Sequence, residues 1–280
     1  MKDFNDRVAA ITGAGSGIGR ALANALARRG AHIALSDIDD TGLAETVAQC
    51  EGFGVKITSH HVDVADRDAV YAWADRVVAD HGRVNLIVNN AGVALAATVE
   101  SMSYEDFEWL MRINFWGVVY GTKAFLPYLR QSGEGHVVNL SSVFGLISVP
   151  SQSAYNAAKF AVRGFTDTLR MELAIENTNV SVTTVHPGGI ETNIARNARL
   201  DPSIREVGED PAKAAKQFER AFITSPERAA EQILTAVRRD RRRALIGPDA
   251  RVIDFVSRLP AGVYQSILTR GAASRRRRPS

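Results

Sequence analysis

Cysteine is nearly absent from the sequence, and two further absences narrow the class of protein. Cys50 is the only cysteine among 280 residues, which excludes an internal disulfide and a metal cluster bound by several thiolates, and fits a reducing compartment. No apolar run approaches the roughly 20 residues that cross a bilayer, and the charged segment from Met1 to Arg7 is not typical of a signal peptide. These features predict a cytoplasmic protein without a metal site.

An excess of charge of one sign is also lacking. The chain carries 34 lysines and arginines against 31 aspartates and glutamates, a net charge of +3. Because this weak excess is diffuse, it does not predict a nucleic-acid-binding protein. Hydrophobic residues make up 45% of the sequence, which is enough for a large core, and α/β sheets of this length often form one unit.

A glycine-rich turn lies between a strand pattern and a helix pattern near the start of the chain. Val8–Thr12 is a short apolar run typical of a buried parallel strand, and Arg20–Arg29 has helical composition. The turn between them reads Thr12-Gly13-x-x-x-Gly17-x-Gly19. Its glycines would let the backbone approach a diphosphate, which the N–H groups at the start of a helix can bind. The alternative is a tight turn without a ligand.

The next strand pattern, His32–Asp37, ends on a carboxylate about 20 residues beyond the glycine turn, where an acid can bind both hydroxyls of an adenosine ribose. The same carboxylate would repel a 2′-phosphate. Neither Ser16 nor Ile38, where a phosphate-binding cation could stand, is basic. The sequence therefore favours NAD over NADP as the cofactor. In the alternative interpretation, Asp37 caps a helix over Asp40–Cys50.

Strand and helix patterns alternate through the chain. The strand patterns are Val8–Thr12, His32–Asp37, Val55–Val62, Val84–Asn89, His136–Ser141 and Val180–His186. This alternation predicts an α/β fold, a Rossmann-like doubly wound parallel sheet with helices on both faces. Ligands bind at the carboxyl ends of the strands in such sheets, where the turn Asn90-Ala91-Gly92 falls. A long helix is predicted over Ser103–Arg130, and Asn114 inside it is mildly unfavourable, which indicates another purpose.

Ser142, Tyr155 and Lys159 form a candidate catalytic group. A helix predicted from Ser153 to Glu176 would place Tyr155 and Lys159 one turn apart on one face, and Ser142 lies on the preceding loop. A lysine cation near a tyrosine favours the phenolate and lowers its pKa, so the tyrosine can exchange protons near neutral pH. The serine hydroxyl could hold a substrate oxygen. A Tyr and a Lys at this spacing are also common as a surface pair, so the assignment depends on the other motifs.

Taken in order, these motifs resemble the short-chain dehydrogenase/reductase family over about Arg7 to Pro248. The matching elements are the glycine turn Thr12–Gly19, the pair Asp63-Val64, the turn Asn89–Gly92, the four residues Asn114, Ser142, Tyr155 and Lys159, and the segment Pro187–Thr192. The resemblance implies a dinucleotide-binding and catalytic domain over residues 1–250, with a substrate lid at about 193–225. Residues 251–280 lie beyond the resemblance and are unusual for the family; they are predicted to be an amphipathic extension with an arginine-rich, disordered end.

The resemblance also implies a role for each catalytic residue. Tyr155 would be the general acid/base, and Lys159 would lower its pKa and bind the nicotinamide ribose. Ser142 would hydrogen-bond the carbonyl or alcohol oxygen, and Asn114 would help hold a water that relays protons to Lys159. Ser141 is the rival to Ser142. The spacing of the family selects Ser142, and neighbours on a strand point to opposite sides.

The implied cofactor residues include an acid at the adenine ring, Asp63, and a segment near the nicotinamide carboxamide, Pro187–Thr192. The full set is Gly13, Ser16, Gly17, Ile18, Gly19, Asp37, Asp63, Val64, Asn90, Ala91, Gly92, Tyr155, Lys159, Pro187, Gly188, Ile190 and Thr192. The implied activity is NAD(H)-dependent interconversion of a secondary alcohol and a ketone. Because family members commonly pair their long helices, the resemblance also implies a homodimer or homotetramer.

The residues implied to line the substrate pocket are mostly apolar, which favours a largely apolar substrate. They are Val93, Ala94, Val143, Phe144 and Gln152. Two alternatives stay open. One is an NADPH-linked reductase of 3-oxoacyl thioesters, which cations in the lid such as Arg196 could serve. The other is a cofactor-binding sensor or scaffold without turnover.

The tail of the chain is predicted to form one or two amphipathic helices over Ala250–Arg270, ahead of the run Arg275–Arg278. One interpretation is packing on the body of the protein or on a neighbouring subunit. The other is contact with an anionic membrane surface.

Overall fold

The computed structural model describes residues 1–211 and 223–276. Its strands are β1 Val8–Thr12, β2 His32–Asp37, β3 Ile57–His61, β4 Leu86–Asn89, β5 Leu95–Ala96, β6 Gly135–Leu140, β7 Val180–Pro187, β8 Arg199–Leu200 and β9 Arg243–Ile246. Seven of them form one parallel sheet in the order β3-β2-β1-β4-β6-β7-β9, and β5 pairs with β8 in a separate two-stranded sheet. The predicted fold class is confirmed.

Helices cover both faces of the large sheet. They are α1 Gly17–Ala27, α2 Asp40–Cys50, α3 Arg67–His81, α4 Tyr104–Met111, α5 Gly117–Gln131, α6 Ser153–Ile175, α7 Pro226–Arg238, α8 Pro248–Val256 and α9 Ala261–Arg276. On one face, Leu22 of α1 shares a core with Ile233 of α7. On the other, Trp73 of α3, Phe125 of α5 and Leu169 of α6 belong to a second core. Among the described residues, none of the helices combines the length and the apolar composition needed to span a membrane.

The sheet has one strand more than the six predicted. The added strand, β9, pairs with β7 at the edge of the sheet. Only Ala244 and Ile246 of its four residues are buried, so its sequence lacks the continuous apolar run that identifies the inner strands. The third strand begins at Ile57 rather than at Val55.

The helix predicted over Ser103–Arg130 consists of α4, a π-helical turn over Arg112–Trp116, and α5. In this turn the N–H of Gly117 donates to the carbonyl of Arg112, five residues back, so the turn holds one residue more than an α-helical turn. Asn114 lies in this turn and is fully buried. The unfavourable asparagine therefore coincides with an interruption of the α-helix.

The order of the sheet places a ligand crevice between β1 and β4. From β1 the chain runs outward to β3 and then returns to β4 on the other side of β1. Doubly wound sheets bind ligands at such a reversal, outside the carboxyl ends of the strands. Residues 212–222 of the predicted lid and residues 277–280 of the predicted disordered end lie outside the described residues.

Candidate active site

Ser142, Tyr155 and Lys159 lie together at the carboxyl end of β6. Tyr155 lies in the first turn of α6 and Lys159 one turn later, while Ser142 precedes the short 3₁₀ turn Val143–Gly145. The hydroxyl of Ser142 faces the hydroxyl of Tyr155, close enough to lower its pKa. The Nζ atom of Lys159 lies 5.5 Å from the centroid of the Tyr155 ring and donates to the carbonyl of Leu140 at 3.0 Å. Because Lys159 is buried, the surface-pair interpretation is wrong.

Burial sets the acid–base properties of the pair. It raises the pKa of Tyr155 to about 12, against a smaller lowering by the hydrogen bond from Ser142. Burial also lowers the pKa of Lys159 to about 8. The sequence predicts the opposite direction for the pKa of Tyr155, from the nearby lysine cation alone. That prediction is wrong for this structure because each charged form loses hydration in the buried site. With its pKa raised to about 12, the phenol of Tyr155 is neutral at pH 7.

The two adjacent serines point to different partners. The hydroxyl of Ser141 donates to the backbone carbonyl of Lys159 at 2.8 Å, so it is used inside the packing of α6 against β6. The hydroxyl of Ser142 accepts from the N–H of Phe144 at 3.1 Å and faces Tyr155. Of the two, only Ser142 is placed beside the phenol.

Asn114 belongs to the same neighbourhood through the turn after β4. Its Oδ1 atom accepts from the N–H of Val93 and its Nδ2 atom donates to the carbonyl of Val93, both at 2.8 Å. A Cβ atom on Gly92 would lie 3.2 Å from Asn114 Oδ1 and 3.7 Å from Lys159 Nζ. The π-helical turn therefore directs the side-chain amide of Asn114 toward the turn after β4, next to Lys159.

Glycine is required in the turn between β1 and α1. Gly13 and Gly17 have φ of +64° and +51°, a region that other residues rarely adopt. A Cβ atom on Gly19 would lie 2.1 Å from the carbonyl oxygen of Gly13. The Nδ2 atom of Asn90 donates to the carbonyls of both Thr12 and Gly13 at 3.0 Å. The turn is thus compact and braced from β4, and Asn90 supports it with its side chain.

The start of α1 fits the diphosphate of a dinucleotide. Ser16 is the N-cap residue, yet its side chain makes no capping hydrogen bond, and the first turn contains no acidic residue. Unused N–H groups and the positive end of the helix dipole therefore face the crevice. Thr192 completes this side, because a Cβ atom on Gly17 would lie 2.9 Å from its Cγ2 atom. Ile18 packs against the core beneath.

Asp37 ends β2 with its carboxylate held beside the glycine turn. The Oδ2 atom accepts from the N–H of Gly15 at 2.7 Å, and the Oδ1 atom accepts from the N–H groups of Ile38 and Asp39. Asp39, not Asp37, caps α2, through a hydrogen bond from the N–H of Gly42. The capping interpretation of Asp37 is therefore wrong.

The other sequence-predicted cofactor residues lie along the same edge of the sheet. Asp63 follows β3, is exposed, and accepts from the N–H of Ala65 at 2.9 Å. Val64 is buried. Ala91 lies directly against Gly13, because a Cβ atom on Gly13 would lie 2.8 Å from Ala91 Cα. The turns that follow β1 and β4 are therefore in contact.

The segment Pro187–Thr192 is held by a residue that the sequence does not single out. The N–H of Gly189 donates to Asp249 Oδ2 at 2.6 Å, and a Cβ atom on Gly188 would lie 2.0 Å from the same oxygen. Ile190 is buried and bridges to Thr224. The carboxylate at the start of α8 thus fixes the turn after β7.

His186 is a second residue that sequence reasoning misses. Its Nδ1 atom lies 2.8 Å from the carbonyl oxygen of Ser142. Burial lowers the pKa of His186 to about 4, so the ring is neutral at pH 7 and Nδ1 carries the proton that the carbonyl accepts. The only signal in the sequence is a histidine directly before Pro187. In the structure, β7 delivers it to the backbone of Ser142.

Two of the residues predicted to line the substrate pocket, Phe144 and Val93, lie beside Tyr155. Phe144 contacts the ring edge-to-face at 6.1 Å between centroids, and Val93 packs in the same small core as Tyr155. Val143 is buried. Gln152 precedes α6 and bridges to Ala97.

The described part of the lid is joined to this apolar wall. The N–H of Arg199 donates to the carbonyl of Ala94 at 3.1 Å, which continues the pairing of β5 with β8. The guanidinium of Arg199 stacks on the Trp109 ring at 3.6 Å and pairs with Asp106 at 2.6 Å. This cation of the lid therefore has partners on α4.

Four matches to known proteins bear on the site. The family model described as short chain dehydrogenase matches residues 7–203. A Mycobacterium tuberculosis (strain H37Rv) protein named SadH is 48% identical over 98% of this chain and 98% of its own length. Human estradiol 17-beta-dehydrogenase 11 is 37% identical over 80% of this chain and 74% of that protein. A short chain dehydrogenase/reductase from Burkholderia phymatum in complex with NAD is 30% identical, with a TM-score of 0.81 over 100% of this chain and 98% of that one.

Proposed function

The chain belongs to the short-chain dehydrogenase/reductase family of oxidoreductases, and from this premise we propose that it interconverts a secondary alcohol and a ketone with NAD(H). The observation that carries the proposal is the position of the Ser142 hydroxyl beside that of Tyr155, with Lys159 buried next to the ring. This group lies at the same sheet edge as the glycine turn and the open end of α1.

The residues of this chain supply proton transfer and positioning. Bound NAD(H) would accept or supply the hydride. Tyr155 gives a proton to the carbonyl oxygen, or takes one from the alcohol, at its hydroxyl. Ser142 hydrogen-bonds that same substrate oxygen. Lys159 and Asn114 supply polar groups behind the phenol, where Lys159 can also reach the ribose hydroxyls.

The glycine turn and α1 would hold the diphosphate, and Asp37 would hold the adenosine ribose. Asp63 and Val64 would bind the adenine ring, and Pro187–Thr192 would bind the nicotinamide carboxamide. The support for this placement is the geometry of the turn, which leaves N–H groups at the start of α1 without partners inside the helix.

A bulky apolar substrate is favoured by the wall of Val93, Val143 and Phe144. A relative that carries the name estradiol 17-beta-dehydrogenase 11 is consistent with such a substrate. The test is a panel of secondary alcohols and ketones, including steroids and 3-oxoacyl thioesters, with NAD(H) and NADP(H). Turnover of thioesters with NADPH would support the alternative reductase. Cofactor binding without turnover of any substrate would support a sensor or scaffold.

His186→Leu is expected to lower kcat by about tenfold, because the buried carbonyl of Ser142 loses its donor and the serine loses its fixed position. The matched control is His136→Leu. His136 is equally buried, on the neighbouring strand β6, where its Nε2 atom hydrogen-bonds Thr183 at 2.9 Å. Both variants should lose thermal stability, but only His186→Leu should lose kcat, and His186→Gln, which keeps a donor, should recover part of it. Equal kcat values for the two leucine variants would remove His186 from this role.

The chain is expected to form dimers or tetramers in solution through α5 and α6. Phe160 and Met171 are exposed on α6 and stand eleven residues apart, about three helical turns, so they share a face. The other side of α6 already covers the sheet. Light scattering should show a dimer or tetramer, and Phe160→Glu with Met171→Glu should shift it toward monomer. Tyr104→Glu, on an exposed residue of α4, is the control, and a monomeric wild type would contradict the proposal.

A further inference from the structure

We propose that the tail helices α8 and α9 dock on an anionic lipid bilayer. Five large apolar side chains of this region are exposed: Val252 and Phe255 on α8, Leu259 just after it, and Val263 and Ile267 on α9. Phe255 is 68% and Ile267 66% exposed. The pairs are spaced three and four residues apart, so each helix presents its apolar residues along one side. We call these five residues the tail ridge.

The charge of the same segment is strongly positive. Residues 251–280 contain seven arginines and one acidic residue, Asp254, a side-chain charge of +6. Because the whole chain carries +3, residues 1–250 carry −3. Asp254 is buried and pairs with Arg243 at 2.7 Å and with Arg258 at 3.0 Å, so within residues 251–280 no other acidic side chain offsets the remaining arginines.

Exposed apolar residues among cations are the chemistry of helices that lie in the interface of an anionic membrane. The apolar side chains enter the boundary between headgroups and acyl chains, and the arginines attract the acidic headgroups. A second copy of this chain is a poorer occupant. Symmetric pairing through this surface would bring the two sets of arginines together, and like charges disfavour such a contact.

Helix α9, which carries part of the tail ridge, lies beside the loop that joins Ser142 to Tyr155. The hydroxyl of Tyr264 on α9 lies 3.5 Å from the N–H of Ser148, in the loop between Ser142 and Tyr155. Helix α9 also packs on the lid turn Pro202–Val207. A docked protein would therefore hold its substrate entrance close to the bilayer. It follows, resting on the proposed function, that the substrate is an apolar alcohol or ketone dissolved in the membrane.

Docking can be tested by co-sedimentation of the full chain with vesicles. Vesicles of equal parts phosphatidylcholine and phosphatidylglycerol should bind the protein at least about tenfold more tightly than vesicles of phosphatidylcholine alone, and added salt should weaken the binding. Phe255→Ser with Ile267→Ser should reduce binding at least about tenfold. Arg251→Gln with Arg270→Gln should reduce it several-fold while leaving the Asp254 pairs intact.

The control is Tyr104→Ser, which removes an aromatic ring that is 85% exposed on α4. It should bind vesicles like the wild type. Equal binding to neutral and anionic vesicles, no binding, or the same loss in the control would overturn docking. Docking would also be overturned if the wild type did not bind vesicles and the double serine variant lost self-association. Binding of nucleic acid but not of vesicles would overturn it as well. Circular dichroism shows whether each variant is folded.

Vesicle binding does not depend on turnover, so this test is independent of the proposed oxidoreductase activity. The substrate inference has its own measurement. Anionic vesicles should lower the apparent KM for a membrane-dissolved alcohol in the wild type and not in Phe255→Ser with Ile267→Ser. Binding without this change in KM would overturn membrane delivery of the substrate, while docking itself would remain supported.

Discussion

Tyr155→Phe is expected to lower kcat by at least about a hundredfold while NADH binds with nearly wild-type affinity. The phenyl ring can keep its edge-to-face contact with Phe144, and Lys159 can keep its bond to the carbonyl of Leu140. The hydroxyl is lost, so the group that gives a proton to the substrate oxygen, or takes one from it, is missing. Steady-state rates with an active substrate from the panel measure kcat, and a fluorescence titration measures NADH affinity.

The matched control for this variant is Tyr128→Phe. Tyr128 also has a bonded hydroxyl, which donates to Asp75 at 2.6 Å, but it lies on α5 away from the candidate active site. Its loss should leave kcat unchanged. If Tyr155→Phe had a kcat within about tenfold of the wild-type value, another group would have to transfer the proton, even though Tyr155 is the phenol beside Ser142.

The buried strands and the glycine turn can be predicted from local sequence because each has a local cause. An inner parallel strand is buried on both faces, so it reads as an apolar run such as Val8–Thr12. Gly13 and Gly17 require glycine for their own backbone angles. A strand at the edge of the sheet is less completely buried, so it lacks a continuous apolar run. Only two of the four residues of β9 are buried, and the sequence therefore does not reveal this strand.

The supporting partners of the site depend on contacts between distant segments. His186 reaches the carbonyl of Ser142 only because β6 and β7 are neighbours, and Asp249 reaches Gly189 only because α8 starts beside the end of β7. No spacing in the sequence encodes either distance. The pKa of Tyr155 is a similar case. The spacing to Lys159 indicates a nearby charge, whereas the fold decides how much water is lost, and burial has the larger effect.

We expect the enzyme to prefer NAD(H) over NADP(H) by at least about a hundredfold in kcat/KM, which is the second large effect. This ratio corresponds to a free-energy difference of about 2.7 kcal/mol. The carboxylate of Asp37 is fixed at the end of β2 by the N–H of Gly15. A 2′-phosphate on the ribose would bring like charges together there, which costs several kcal/mol at a matched interface.

Among the residues described around Asp37, no cation forms an ion pair with its carboxylate, and the guanidinium of Arg20 is paired with Glu45. Ile38 is exposed and apolar. The Nη2 atom of Arg20 pairs with Glu45 at 2.8 Å and also donates to the carbonyls of Gly15 and Gly42, while its Nε atom donates to Thr46 at 3.0 Å. These bonds fix the guanidinium between the glycine turn and α2, where the carboxylate of Glu45 is its acidic partner.

The cofactor preference should narrow below about tenfold, or reverse, in Asp37→Asn with Ile38→Arg, since the repulsion is removed and a phosphate partner is added. Asparagine keeps one oxygen, which can accept either the N–H of Gly15 or those of Ile38 and Asp39 but not both sets. Circular dichroism should therefore confirm that the variant is folded. The matched controls are the two single variants. Asp37→Asn should mainly weaken NAD, because the ribose loses a charged acceptor, and Ile38→Arg should leave the repulsion in place. Rates with both cofactors across the four proteins give the ratios. Equal wild-type efficiencies with NAD(H) and NADP(H) would show that the fixed carboxylate does not select the cofactor.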